Sequence, residues 1–178
     1  SSDLYGKNVV RLTKNKWYDA EVTVSPNGEW IVWTRVIDGN ANLWRMRADG
    51  TGEQQITFTK DWQPGAPFYL PDNDTIIFQA WRESEMGKVT PTPMTVFTIK
   101  ADGTGLTSLT NDSCNSRSPG GYPHSLSPDG SRIAFTRVCG PQDRGPKVWL
   151  MNVDGSEQRL LTTSPLVNEN PTAGEHGD

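Results

Sequence analysis

The stretch SPDGSRIAFTR at positions 127–137, with KVWLMNVDGSEQRLLT at 147–162, is the unit from which the rest of the chain can be read. It opens on a Pro-Asp-Gly turn and runs through an apolar segment carrying Ile133 and Phe135. A second apolar segment follows, then a turn at Asp154-Gly155 and a closing Leu161-Thr162. Two earlier stretches repeat it: SPNGEWIVWTR (25–35) with NLWRMRADGTGEQQIT (42–57), and LPDNDTIIFQA (70–80) with TVFTIKADGTGLTSLT (95–110). A period of about 50 residues, built of short strands between Gly-containing turns, is the mark of a radially repeated β-architecture.

The copies agree position by position. Ile31, Ile76 and Ile133 correspond, as do Trp33, Phe78 and Phe135. Residues two apart on a strand share a face, and a branched aliphatic beside an aromatic suits a packed one. The next strand carries Leu43, Val96 and Val148, then Trp44, Phe97 and Trp149, then Met46, Ile99 and Met151. It is apolar on both faces, as expected of a sheet sandwiched between neighbours. With the segments at 22–25, 67–70 and 124–127 and the closing Leu-Thr pairs, each unit has four strands, the content of one propeller blade. The sequence therefore predicts an all-β propeller of four-stranded antiparallel blades. Its repeats run over about 18–57, 62–110 and 122–162, with an orphan outer strand at 9–13 and an irregular tail at 164–178.

Asn27-Gly28, Asn73-Asp74 and Asp129-Gly130 join the first two strands of each unit, and Asp49-Gly50, Asp102-Gly103 and Asp154-Gly155 the last two. Such pairs tolerate positive φ and close tight hairpins, so both sets fall on one end of the blades. Longer connections at 36–42, 81–95 and 139–146, and between blades at 59–65 and 111–122, emerge at the other end, where recognition is expected.

The Ser-Pro-Asp-Gly turn, Ile133-Ala134-Phe135-Thr136, the second Asp-Gly and the closing Leu-Thr together resemble the WD40-like repeat of the TolB β-propeller family, also found in propeller domains of prolyl-oligopeptidase-like proteins and of some polysaccharide lyases. The resemblance spans about residues 9–162 and is weakest in the second copy, where Asp72-Asn73-Asp74 replaces the Asp-Gly turn. It implies a fold and leaves function open among protein binding, peptidase gating and lyase chemistry.

Three blades do not close a ring. The open sheet edges this leaves predict association with other copies or with the remainder of a larger propeller. Arg11-Leu12-Thr13 reads as the fourth strand of an earlier blade.

No apolar run reaches the 18 residues of a membrane span, and net charge −4 argues against a broad phosphate-binding surface, so neither a membrane span nor nucleic acid is expected. Seven Trp are unusual. Trp33, Trp44 and Trp149 hold repeat positions. Trp17 and Trp62, in equivalent inter-blade segments, and Trp81, at the head of the second-blade insertion, are candidates with Tyr18 and Arg82 for an aromatic platform taking a glycan or peptide. Packing between blades is the competing role. Trp30 faces outward in the pattern, as a contact with another chain would.

Catalytic sets are sparse. His124 falls in an innermost strand beside the channel and His176 in the tail. Arg82, Arg117 and scattered carboxylates complete the inventory, so no catalytic residue, metal ligand or cofactor is assigned. Glu83 and Glu85 lack calcium-loop spacing. The Asp residues of the repeated turns serve the hairpins, and the sequons at Asn73 and Asn111 are too common a pattern to decide anything. Cys114 and Cys139 both reach the loop end of the third blade, so they are expected to pair, which places the chain in an oxidising compartment: periplasm, cell surface or medium. The leading expectation is a non-catalytic protein-interaction or self-assembly module. A propeller part of a glycan- or peptide-processing enzyme, or a lectin-like propeller, is the alternative.

Overall fold

The computed structural model describes residues 1–2, 5–88, 93–110, 114–117, 126–139 and 146–162, with side chains of 115–117 left aside. His124, His176, the Asn111 sequon and the tail at 164–178 lie outside the described residues.

Twelve strands are described. The first blade is β1 (Tyr18–Val24), β2 (Trp30–Ile37), β3 (Asn40–Arg47) and β4 (Gln54–Gln55), antiparallel in that order. The second is β5 (Trp62–Tyr69), β6 (Thr75–Arg82), β7 (Met94–Lys100) and β8 (Thr107–Ser108), and the third is β9 (Asn115–Arg117), β10 (Arg132–Val138), β11 (Lys147–Asn152) and β12 (Arg159–Leu160). Among the described residues, one parallel pair, Met94 with Asn115, bridges the second and third sets. In the third blade Leu126 meets Ile133 through an isolated bridge, and β9 pairs with the far end of β10.

Alternation along the central strands sends one face of each blade to the preceding junction and the other to the next. Val32, Leu43 and Ile56 of the first blade pack with Ile76, Phe78 and Ile99 of the second. Phe68, Ile77, Val96 and Leu109 of the second pack with Ile133, Phe135 and Met151 of the third. On the remaining face of the first blade, Ile31, Trp33 and Met46 form a cluster against which, among the described residues, Leu12 packs.

The repeated turns lie together as expected. Asn27 N–H donates to Asn73 Oδ1 at 2.8 Å across two blades. Asp49, Asp102 and Asp154 each accept from the backbone N–H and hydroxyl of the residue two further on, Thr51, Thr104 and Ser156, at 2.6–2.9 Å. Those hydrogen bonds hold all three carboxyls below their ordinary range and account for the Asp-Gly-Thr/Ser signature.

Two expectations are corrected. The connection at 36–42 is no loop: β2 and β3 run to a two-residue turn, Asp38-Gly39, at φ 49° and 83°, the primed geometry that matches strand twist. Trp30 does not project from the blade. It is half-buried against the first junction cluster, with the Arg45 and Arg47 guanidinium groups 4.6 and 4.9 Å from its ring centre.

The closing Leu-Thr has a mechanical role. Thr57, Thr110 and Thr162 each turn Oγ1 back to accept the third strand's backbone N–H, from Leu43 (2.9 Å), Val96 (3.0 Å) and Val148 (3.0 Å). The preceding residue, Ile56, Leu109 or Leu161, donates its own N–H to the carbonyl of that same third-strand residue at 2.8 Å. Thr110 is 1% exposed, so Thr110→Val, which keeps shape and orphans the Val96 N–H, should cost about 2 kcal/mol in urea unfolding while Thr110→Ser costs far less.

Candidate interaction surfaces

The platform candidates lie at the loop end. Trp62 begins β5 and pairs with Arg82, the last residue of β6, because the first strand of the second blade starts five residues earlier than the segment at 67–70 suggests. Its ring meets Phe97 edge-on at 5.1 Å, and the Arg82 guanidinium lies 4.7 Å from its centre. Phe97 in turn stacks on Phe78 at 5.4 Å. Trp62 is half-buried between blades. Arg82 is exposed, and Asp61 lies 4.0 Å from it. Asp61 also accepts the Ser84 backbone N–H at 2.9 Å, which holds its carboxyl below the usual range and pins the short 3-10 turn at Glu83–Glu85.

Trp81 remains in β6, opposite Met94 and Gln63, half-buried. Trp17 is half-buried under the Lys16 ammonium, 4.7 Å from its ring centre, and Tyr18 is 69% exposed. Among the described residues no ring pair joins Trp17, Trp62 and Trp81.

Cys114 and Cys139 form a disulfide, with Cα atoms 4.2 Å apart, between the segment entering the third blade and the residue after β10. The pair closes a 25-residue separation. Replacing both by serine should lower unfolding free energy by about 3 kcal/mol in the chain-entropy account, and reduced parent protein should match the variant.

The sequence reading passed over Arg35. Its side chain is 3% exposed and its guanidinium lies against both the Trp33 and Trp44 rings, at 5.2 and 4.6 Å from their centres. Asp19 accepts from its Nε (2.6 Å) and Nη2 (3.1 Å), and Glu53 from its Nη1 (2.7 Å) and Nη2 (3.0 Å). Trp33 Nε1 adds a third donor to Asp19 at 3.1 Å. Burial pushes the Asp19 carboxyl up, but the hydrogen bonds of Arg35 and Asn15 and the Arg35 charge outweigh it and hold the group below 3.8. The Arg35 guanidinium is likewise kept firmly charged. The signal was present, since Thr34-Arg35 recurs as Thr136-Arg137. Arg137 is 8% exposed and lies 4.9 Å from the centre of the Trp149 ring.

A second surface is the uncovered face of the first blade. Val22 and Val24 of β1 are 65% and 56% exposed, and with Ile31, Trp33 and Met46 they line an open cleft of about 380 Å³ beneath residues 10–13. Among the described residues no group of three or more His, Cys, Asp or Glu gathers as a metal site would. No described helix is long and apolar enough to cross a membrane.

No family model matches the chain. A TolB homolog of Chlorobaculum tepidum is 28% identical over 57% of this chain and 21% of its own length. The solved structure of a putative TolB from Agrobacterium tumefaciens superposes with a TM-score of 0.65 at 24% identity, over 85% of this chain and 51% of that one. An oligogalacturonate lyase solved in complex with manganese gives 0.60 at 13% identity, over 89% and 40%. The chain spans less than half the length of the curated relatives it matches. Blade order, strand pairing and these likenesses together give the chain a TolB-type β-propeller fold, present here as about three blades.

Proposed function

We propose that this chain is a non-catalytic, extracytoplasmic propeller segment that works through protein contacts, associating with copies of itself or with the rest of a larger propeller. The observation that carries this reading is the uncovered apolar face of the first blade. Val22 and Val24 stand exposed where, at the other two junctions, the matching surface is buried against a neighbour. Burying that face removes apolar area from water and shields an open sheet from unspecific pairing. The likeness to a TolB homolog supports a protein-binding role, and the disulfide supports an oxidising compartment. At the loop end, Tyr18 and Arg82 are the platform residues most open to a ligand, with Trp17, Trp62 and Trp81 set deeper.

Light scattering tests the reading. The parent chain should run above 19.7 kDa, and the double change Val22→Asp, Val24→Asp should shift it to that mass without altering far-ultraviolet circular dichroism. A parent particle that is already a single closed 19.7 kDa species overturns it.

A further inference from the structure

Arg35 has a counterpart in the third blade and none in the second. In the first blade its guanidinium lies against the cross-strand pair Trp33–Trp44, and in the third Arg137 lies 5.5 and 4.9 Å from the ring centres of the pair Phe135–Trp149. The second blade keeps the ring pair, Phe78 opposite Phe97, but has Ala80 where the arginine stands. Both acidic partners of Arg35 are replaced in register as well, Asp19 by Pro64 and Glu53 by Leu106. At the place matching the Arg35 side chain, these five residues of the second blade line an apolar hollow of about 50 Å³. Thr57 and Thr59 also line it, but their hydroxyls are taken: Thr57 Oγ1 accepts the Leu43 N–H at 2.9 Å and donates to Asn42 Oδ1 at 3.0 Å, and Thr59 Oγ1 donates to Trp62 O at 2.6 Å. With so few polar groups to offer, the hollow is a poor site for water. Two large apolar side chains stand open beside it. Leu106 is 57% exposed, and Phe58, held between Thr57 and Thr59, is 80% exposed. The other two copies have polar residues at both places, Glu53 and Gln158 for Leu106, Asn111 and Thr163 for Phe58. The repeat therefore does not demand this apolar patch, which is confined to one blade junction.

We infer that this hollow seats one aliphatic side chain, of the leucine or isoleucine kind, carried by an acidic segment of a partner protein. This deepens the protein-contact reading, on which it rests, at a surface apart from Val22 and Val24. Size decides the first part. A cavity of about 150 Å³ takes benzene, so this one admits the branched tip of an aliphatic side chain and excludes a phenyl ring. Chemistry excludes the group that fills the matching place in the first blade: a guanidinium entering here would lose water and find Pro64 and Leu106 where Arg35 finds carboxylates. Charge decides the second part. The Arg82 guanidinium lies 4.7 Å from the centre of the Trp62 ring, which also lines the hollow. Its side chain is 46% exposed and Asp61 stands 4.0 Å away, so it has capacity for a partner's carboxylate.

The probe is the peptide acetyl-Glu-Leu-Glu-amide, titrated into the full chain labelled with nitrogen-15, with the Thr57, Ala80 and Phe97 amide signals followed by NMR. Saturable shifts with a Kd on the order of 1 mM are expected, the worth of one buried aliphatic tip and a screened ion pair. Exchanging the peptide's leucine for alanine should abolish the shifts. Exchanging it for phenylalanine or arginine should weaken binding at least about tenfold, and exchanging both glutamates for glutamine about threefold. These comparisons use the parent chain and do not depend on how a variant folds. Ala80→Met places an aliphatic group of the chain's own in the hollow and should also weaken binding at least about tenfold. Absence of saturable shifts up to about 10 mM peptide overturns the inference, as does equal binding of the leucine and phenylalanine peptides or affinity unchanged in Ala80→Met. Tighter binding of the arginine peptide overturns it too, because a guanidinium would then be the occupant. A monomer by light scattering that binds the leucine peptide would sink association through Val22 and Val24 and leave the hollow standing; an oligomer that takes no peptide would do the reverse.

Discussion

Arg35→Ala should destabilise the fold by about 3 to 5 kcal/mol at neutral pH, measured by urea unfolding. The change removes a guanidinium that is 3% exposed and leaves Asp19, 18% exposed, beside Trp33 without its main counter-charge. It also removes the cation that lies against both Trp rings. The loss is one of breaking a pair, since charges buried together recover their desolvation cost only while both are present. The pH dependence separates this account from packing alone. A carboxyl held below its ordinary value contributes stability that is present above about pH 4 and is lost as pH falls through the lowered folded value. The gap between parent and variant should therefore be widest at pH 7 and narrow on acidification below pH 4. A gap constant from pH 7 to 3 would mean that Arg35 acts through ring packing, with no electrostatic share.

The ease of reading differed between fold and surfaces for a physical reason. Strand content, the two sets of turns and the Cys114–Cys139 pairing were legible because each is dictated locally: alternation fixes faces, Asp-Gly fixes hairpins, and topology brings the two sulfurs to one end of one blade. What escaped depended on side chains meeting across strands. Arg35 looks like a charged residue at a strand end until Asp19 of β1 and Glu53 before β4 are brought against it. Trp30 looks exposed because Thr75 and Arg132 fill its place in the other copies, yet Arg45 and Arg47 enclose it. The two-residue turn at Asp38-Gly39 was hidden among polar residues that resemble a loop, although the Asp-Gly signal was in place. Leu12 was legible as a closing residue, but its seat under Gly50 is a contact no spacing could show.

Trp62→Ala should cost about 3 to 4 kcal/mol, toward the lower part of the range for truncating a large aromatic in a core, because the ring is half-buried. Trp62 edges onto Phe97, Phe97 stacks on Phe78, and Phe78 belongs to the cluster joining the first and second blades, so the loss propagates into the junction. Removing the ring also takes the face on which the Arg82 guanidinium lies, leaving that side chain with Asp61 at 4.0 Å as its remaining partner. Trp62→Phe keeps an edge toward Phe97 and should recover more than half of the loss. A recognition role makes the opposite demand: a ring held out for a glycan or peptide can be truncated with less than about 1 kcal/mol of folding cost while affinity falls. Thermal and urea unfolding of Trp62→Ala beside Trp62→Phe decide between the two. A small loss for Trp62→Ala would return Trp62 to the platform with Tyr18 and Arg82. The expected large one leaves Arg82 and Tyr18, both exposed, as the groups at this end that a partner can touch without unbuilding the blade junction.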